Sequence, residues 1–438
     1  MKLDLIALRK LSPDTLLRKA RGYSRKLWVR VLGMGLLAIF VLALTQIVER
    51  FVPDKLGSLL TGSAADALLD IIADAMLVVT TFSLSVMVAL YRASSSQFTP
   101  RVHRMILEDR ITQNTLAAFI GAYVYALTAI ILRKLGVYTD ERALVLFVTT
   151  MLVLAFIVWN LIRWTLHLQT FGSLIDTTRQ LEEKTLAQFE ERLEIPCLGG
   201  IPWSGRLPEG TRAIATAKSG YVQQIYPEAL QEAAERHGLA VFVARNSGSY
   251  VFENEPLLHV VAEGEATEEA RDENMEDALR ACIVVGDLRT YEQDPRFGLI
   301  VMGEIASKAL SPGINDPGTA IDVITRVSRI LSRYRDETGR DRKPRYPRLH
   351  VTALDPEDLI RDGFGAVGRD GGKLLEVQIR LQRTFAALMK HPDEGLSKAV
   401  RAKAVEQYRR AMEMLDFGAD REALRRATME DIRAEAEA

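Results

Sequence analysis

Two clusters of polar residues in the second half of the chain have types and spacings that suit binding chemistry. Arg289, Thr290 and Asp294 lie in RTYEQDP, and Ser311, Asn315 and Asp316 lie in SPGINDPG. An arginine beside a hydroxyl, with the free N–H groups of a helix start, favours an anion. The carboxylates of Asp294 and Asp316, with the Asn315 side chain, favour a cation or a ligand amine instead. The sign of the ligand is open. The second cluster also has a purely structural account. Leu310-Ser311-Pro312-Gly313 stops one helix, Asp316 caps the next, and Pro317 takes the first helical position, where no N–H is needed. Residues 307–318 are either a small binding site or a rigid helix junction.

Other chemistries find little support. Cys197 and Cys282 lie far apart with no CxxC and read as two buried thiols. The six histidines show no metal-ligand spacing, so no structural metal is expected. Gly363, Gly365 and Gly368 form a GxGxxG, but no βαβ context surrounds it, and no cofactor is expected. There is no nucleophile elbow, metal motif or P-loop, and the acids between 289 and 316 have no evident base or nucleophile beside them. This speaks against an enzyme. A net charge of −1 and a pI near 6.6 give no argument for nucleic acid.

The elements that carry these residues begin in a membrane. Four long apolar runs span residues 27–48, 67–91, 115–132 and 143–162. Each suits the roughly 20 residues needed to cross a bilayer. The first is too long for a signal peptide and no small-residue cleavage site follows it. Residues 1–27 carry eight Lys and Arg against Asp4 and Asp14, and the segment between spans two and three carries Arg92, Arg101, Arg104 and Arg110. Positive residues stay inside, so both termini are expected in the cytoplasm. Trp28, Trp159 and Trp164 are expected as interfacial anchors. The basic N-terminal segment either lies on the membrane surface or acts only as a topology signal.

Span two carries a polar stripe. On a helical wheel Ser63, Asp66, Asp70, Asp74, Thr81, Ser85 and Arg92 fall within an arc of about 100°. Such groups rarely face lipid. They face either another helix or water. In the second case Asp66, Asp70, Asp74, Thr81 and Ser85 line a pore, with acidic rings that attract cations. Four spans make a cramped conduit, so a pore requires several copies around an axis.

Beyond the membrane the composition changes twice. Residues 170–197 read as a polar helical connector. Residues 198–265 alternate as strands do, with glycine punctuation and one short helix, PEALQEAAERHG. This stretch looks like a small barrel-sandwich module, similar to biotinyl and lipoyl carriers. Lys218 stands before the Gly220 turn without the setting of a modified lysine, and reads as a surface residue. Residues 266–438 are helical, with a short strand at RLHVTA. The expected fold class is therefore membrane α-helical, with four transmembrane helices, plus a cytoplasmic α+β region: a small β barrel-sandwich-like module followed by an α-helical domain. The expected boundaries are 1–27 for the basic segment, 28–169 for the transmembrane domain, 170–197 for the connector, 198–265 for the β module and 266–438 for the helical domain.

Two segments together carry a family resemblance: FSLSVMVALYRASSSQFTPRVHRMILEDRITQNTLAAFIGAYVYAL (82–127) and RTYEQDPRFGLIVMGEIASKALSPGINDPGTAIDV (289–323). With Ser96-Gln97-Phe98, Pro100-Arg101, Arg289-Thr290, Asp294, Phe297-Gly298 and Ala309 to Pro317, they resemble a bacterial family of predicted membrane proteins, domain of unknown function 2254. The chain departs from the family at GFGAVGRDGG (363–372), where a regular helix with fewer glycines is usual. The resemblance implies topology and domain order and supplies no activity. It places the chain in a bacterial inner membrane as a multi-pass protein. The leading expectation is a homo-oligomeric ion channel or transport-like protein with a cytoplasmic regulatory domain. The rival is a membrane-anchored sensor or scaffold that binds a small ligand or partner through its cytoplasmic helical domain. Expected partners are the bilayer, further copies of the chain, and a small ligand or ion.

Overall fold

A computed structural model describes residues 27–49, 62–107, 109–137, 144–169, 171–262, 273–339 and 343–438. The basic segment preceding Leu27, and the loops joining spans one to two and three to four, lie outside the described residues. The chain divides into two compact units at Thr177/Thr178.

The first unit contains α1 (Leu27–Glu49), α2 (Gly62–Gln97), the short α3 (Pro100–Leu107), α4 (Arg110–Lys134) and α5 (Leu144–Leu168). Four of these, α1, α2, α4 and α5, are long and apolar enough to cross a membrane. The chain is a multi-pass membrane protein. α4 packs against each of the other three. It can do so because half of its buried positions are alanine or glycine, Ala117, Ala118, Gly121, Ala122, Ala126 and Ala129, beside the larger Leu116, Phe119 and Tyr125. In lipid, apolar burial gives helices little reason to associate, whereas close backbone approach through small residues does. At Gly121 an added Cβ would stand 2.9 Å from Cβ of Met34 on α1. A buried hydrogen bond of 3.0 Å joins the Tyr125 hydroxyl to Thr150 Oγ1 on α5. Asp109 caps α4 by accepting from the Thr112 amide, and also meets His167 Nε2 of α5 at 2.9 Å. Trp28 and Trp159 are exposed, as membrane anchors must be, but Trp164 is 3% exposed and packs inside the unit.

The second unit is α+β. After α6 (Leu174–Glu194), which enters it at its first turn, come β1 (Ile201–Pro202), β2 (Arg212–Ala215), β3 (Gly220–Ile225), α7 (Pro227–Arg236), β4 (Leu239–Val243), β5 (Tyr250–Val251) and β6 (Pro256–Ala262). Then follow α8 (Glu273–Ala281), β7 (Ile283–Gly286), α9 (Pro295–Ala309), α10 (Pro317–Leu331), β8 (Leu349–Val351) and α11 (Pro356–Asp370). The chain ends with α12 (Leu375–Leu388), α13 (Glu394–Met414), α14 (Gly418–Ala427) and α15 (Glu430–Glu437).

The strands form two sheets, in orders β1-β8-β4-β6-β2 and β5-β3-β7. β8 pairs parallel to both β1 and β4; the other pairings are antiparallel. One core joins them, including Ile214, Val222, Ile225, Val241, Val243, Leu258, Val285, Leu349 and Val351. The sheets thus recruit β7 and β8 from beyond residue 265. A self-contained sandwich of residues 198–265 is not what the strands make; a mixed sheet closed by later segments is. β7 and β8 have four and three residues, too few for alternation to reveal their role.

Three of the five glycines in residues 363–372 interrupt nothing, whereas Gly371 caps the end of α11. Gly363, Gly365 and Gly368 lie within regular α11, not at a strand-to-helix turn. Gly363 admits α10: an added Cβ would stand 2.6 Å from Val327 Cγ1.

Candidate functional site

Three helices of the second unit begin with the same pair of residues. Asp294-Pro295, Asp316-Pro317 and Asp355-Pro356 start α9, α10 and α11. In each the aspartate accepts from a first-turn amide: Phe297, Thr319 and Glu357, at 3.1, 3.0 and 2.9 Å. Proline fills the position that needs no donor.

Two of these starts converge. The β4–β5 loop (Ala244–Ser249), the segment leaving β8 (Thr352–Asp355), and the N-terminal ends of α9 and α11 surround a cavity of about 410 Å³. It therefore sits beyond the carboxyl ends of two parallel strands, the usual place for a ligand in open sheets of this kind. Arg192, Arg245, Arg289 and Arg296 line it, with Asp294, Asp355 and Asp358.

The walls are held by buried ion pairs. Arg289 Nε meets Asp294 Oδ2 at 2.6 Å, and Asp294 is 2% exposed. Burial pushes the Asp294 carboxyl upward, against the pull of Arg289 and the Phe297 amide. Arg296 reaches from α9 to Asp362 Oδ2 of α11 at 2.6 Å, and pairs with Asp358 as well. On another wall, Arg192 of α6 binds buried Glu337 at 2.6 Å and donates to the Thr352 carbonyl at 3.0 Å. The same glutamate accepts from the amides of Cys197 and Leu354. Cys197 and Cys282 are free and buried, and burial, aided by Glu337, pushes the Cys197 thiol up to about 12.

The β4–β5 loop lies directly on the Arg289–Asp294 pair. Gly248 has φ +88°, and a Cβ there would collide with the Asp294 carboxylate and stand 2.8 Å from Arg289 Nη2. Only glycine fits both the conformation and the space. Asn246 donates its Nδ2 to Thr352 Oγ1 at 2.5 Å and to the Thr352 carbonyl at 3.3 Å. A carbonyl only accepts, which fixes the amide orientation and leaves Asn246 Oδ1 buried without a partner. Gln293, at φ +60°, is held by its own side chain, which exchanges two hydrogen bonds with the Ile225 backbone at 2.8 and 2.9 Å.

The residues singled out in the sequence do not gather in one place. Arg289 and Asp294 line the cavity; Thr290 is adjacent in the chain but does not line it. Ser311, Asn315 and Asp316 lie at the other end of α9. Its 15 residues separate them from Asp294 by about 22 Å at 1.5 Å per residue. The 310–316 turn is bonded to itself and to the end of α9: the Asn315 amide donates to the Ser311 carbonyl, that of Asp316 to the Ala309 carbonyl, and Ser311 Oγ to the Lys308 carbonyl, at 2.9, 2.8 and 2.7 Å. Asp316 holds both the amide and the hydroxyl of Thr319, which keep its carboxyl below the usual range.

On span two the stripe divides. Asp66 makes a two-point pair with Arg133 at the end of α4, at 2.7 and 2.6 Å. Asp70, Asp74, Thr81 and Ser85 remain exposed. The Thr81 hydroxyl bonds back to the carbonyls of Leu77 and Val78, and that of Ser85 to Thr81. Counting back roughly 20 residues from Arg92, one hydrocarbon thickness, reaches Ile72. Asp74 thus falls just inside one edge of the apolar layer and Asp70 just outside it.

Sequence reasoning missed Arg245, Asn246, Gly248, Arg296, Asp355 and Asp358. The repeated Asp-Pro was a usable signal, since two of its three occurrences face the cavity. Against known proteins, a model described as "Predicted membrane protein (DUF2254)" matches residues 24–387. Uncharacterised proteins of Mycobacterium bovis and Mycobacterium tuberculosis are 28% identical over 313 residues. The match covers 68% of this chain and 58% of those relatives' length. No solved structure matches the chain significantly. With most of its length matched, from the first span to the end of α12, the chain belongs to this family of predicted membrane proteins, domain of unknown function 2254.

Proposed function

We propose that the protein is a membrane-embedded receptor for a small ligand, assembled from several copies in a bacterial inner membrane with both termini in the cytoplasm. The carrying observation is the cavity of about 410 Å³ at the carboxyl ends of β4 and β8, a size within the usual range for small-molecule sites. Arg92, Arg101, Arg104 and Arg110, on the α2–α4 side of the membrane unit, support the orientation. The test is thermal unfolding of the purified full-length protein in detergent, with and without the small-molecule fraction of a bacterial extract. A ligand at about 100 times its Kd should raise Tm by about 5 °C. Ser249→Tyr, which places bulk in the lining, should remove the rise. A wild-type Tm that no fraction of the extract moves would refute the receptor.

A second reading, cation conduction through an oligomer, is favoured by one observation. Asp70, Asp74, Thr81 and Ser85 share an exposed face of α2, where lipid is an unfavourable neighbour for carboxylates.

A further inference from the structure

Resting on the receptor reading above, we infer that the ligand of the cavity carries a phosphoryl group as a phosphate monoester. The balance of hydrogen-bonding groups supports this class. The acids of the lining already hold donors: Asp294 has Arg289 and the Phe297 amide, Asp355 has the Glu357 amide, and Asp358 lies between Arg296 and Arg361. Donors are left over. Arg289 uses Nε and Nη2 on Asp294, and Arg296 uses Nε and Nη1 on Asp362 and Asp358, so each guanidinium keeps one terminal nitrogen outside these pairs. Arg245 is 43% exposed and reaches Glu255 only at 3.5 Å. Among the described residues the consecutive backbone amides of Arg245, Asn246 and Ser247 donate to no protein acceptor.

These donors belong to three separate elements: the β4–β5 loop, the segment before α9, and the first turn of α9. The unbonded amides of the loop add further donors, and the start of α9 adds its dipole. A carboxylate has two coplanar oxygens and is satisfied by a single guanidinium fork. A phosphoryl group has three oxygens directed to different sides and matches donors arriving from several elements. Inorganic phosphate alone does not fill a volume of about 410 Å³; a phosphate monoester does so better.

The test is titration calorimetry on the full-length protein in detergent. The probes are adenosine monophosphate, glycerol 3-phosphate, inorganic phosphate, and succinate at matched ionic strength. Binding of at least one ester, more tightly than phosphate or succinate, is expected. Arg245→Gln, at an exposed side chain that leaves the core intact, should weaken it tenfold or more, and Arg245→Lys should recover part of that loss. Succinate binding as tightly as the esters would overturn the phosphoryl class and leave the receptor standing. Phosphate binding as tightly as both esters would overturn the monoester and leave the phosphoryl group. Failure of all four probes would overturn the inference, and the extract experiment would then decide the receptor separately.

Discussion

Asp294, Asp316 and Asp355 are the same device in three settings. Each caps a helix that begins with proline, yet two line a cavity and one closes a self-bonded turn. At Asp316 the capping function can be separated from the carboxylate. Asp316→Ala should lower stability by about 1 kcal/mol, whereas Asp316→Ser should keep most of the cap. The pH dependence has a definite sign. The Thr319 hydroxyl and amide hold the Asp316 carboxyl below its ordinary value of 3.8. Its contribution is therefore complete above that value and is lost as pH falls through the lower folded value. The Tm difference between wild type and the Ser variant should shrink on acidification below the ordinary carboxylate range. A difference that grows there would contradict this role. Residue types alone singled out Arg289 and Asp294, one for an anion and the other for a cation; that they pair with each other appears only in the fold. Arg245, Asn246 and Thr352 were not visible, because what joins them is tertiary: Asn246 meets Thr352 across 106 positions.

At the scale of elements, length decided what could be read from sequence. The four spans announce themselves through long apolar runs, and the helices from α9 onward through their caps and amphipathic faces. β7 and β8 are too short to carry a period, yet β8 supplies both parallel pairings of the larger sheet. The strand itself is read from RLHVTA, but not its place beside β1 and β4, and that hid the strand ends at which the cavity forms. Glycine was also ambiguous from sequence, since the same residue marks a turn or a close helix contact. Within α11 the two uses predict opposite signs. A Cβ at Gly365 would meet only Arg361 Cγ of the same helix, at 3.8 Å, so Gly365→Ala should stabilise by about 0.5–1 kcal/mol through helix propensity. Gly363→Ala gains the same propensity but forces Val327 aside, and overpacking of this kind costs about 1–3 kcal/mol. Urea or thermal unfolding of the two variants should show Tm moving in opposite directions. A rise in both would mean that α10 gives way easily at Val327.

At the scale of the whole molecule, orientation and assembly each have a direct measurement. Cysteines placed at Val137, just past the end of α4, and at Ser204, beyond α6, should lie on opposite sides of the membrane. Against a background lacking Cys197 and Cys282, an impermeant thiol reagent should label the first in intact spheroplasts and the second only after lysis. The reverse pattern would invert the proposed topology. Conduction is the harder question, and span two answers it through electrostatics. Asp66 is already neutralised by Arg133, so Asp70 and Asp74 carry the outward charge of the stripe. If copies of α2 surround a path, these carboxylates concentrate cations at its mouth. Such attraction is screened over roughly 8 Å at physiological ionic strength. Asp70→Asn with Asp74→Asn should therefore reduce cation preference in reconstituted bilayers, more at low salt than at high salt, without changing the oligomer seen by cross-linking. Ser85→Phe should obstruct flux, because Ser85 lies about 16 Å deeper than Asp74 along the same face. If this face only packs against another copy, the Asn pair should leave any conductance unchanged, and bulk at Ser85 should break the oligomer instead. Wild-type protein that passes no ions under voltage, added phosphate esters or membrane tension would exclude the conducting reading while leaving ligand binding in the second unit untouched.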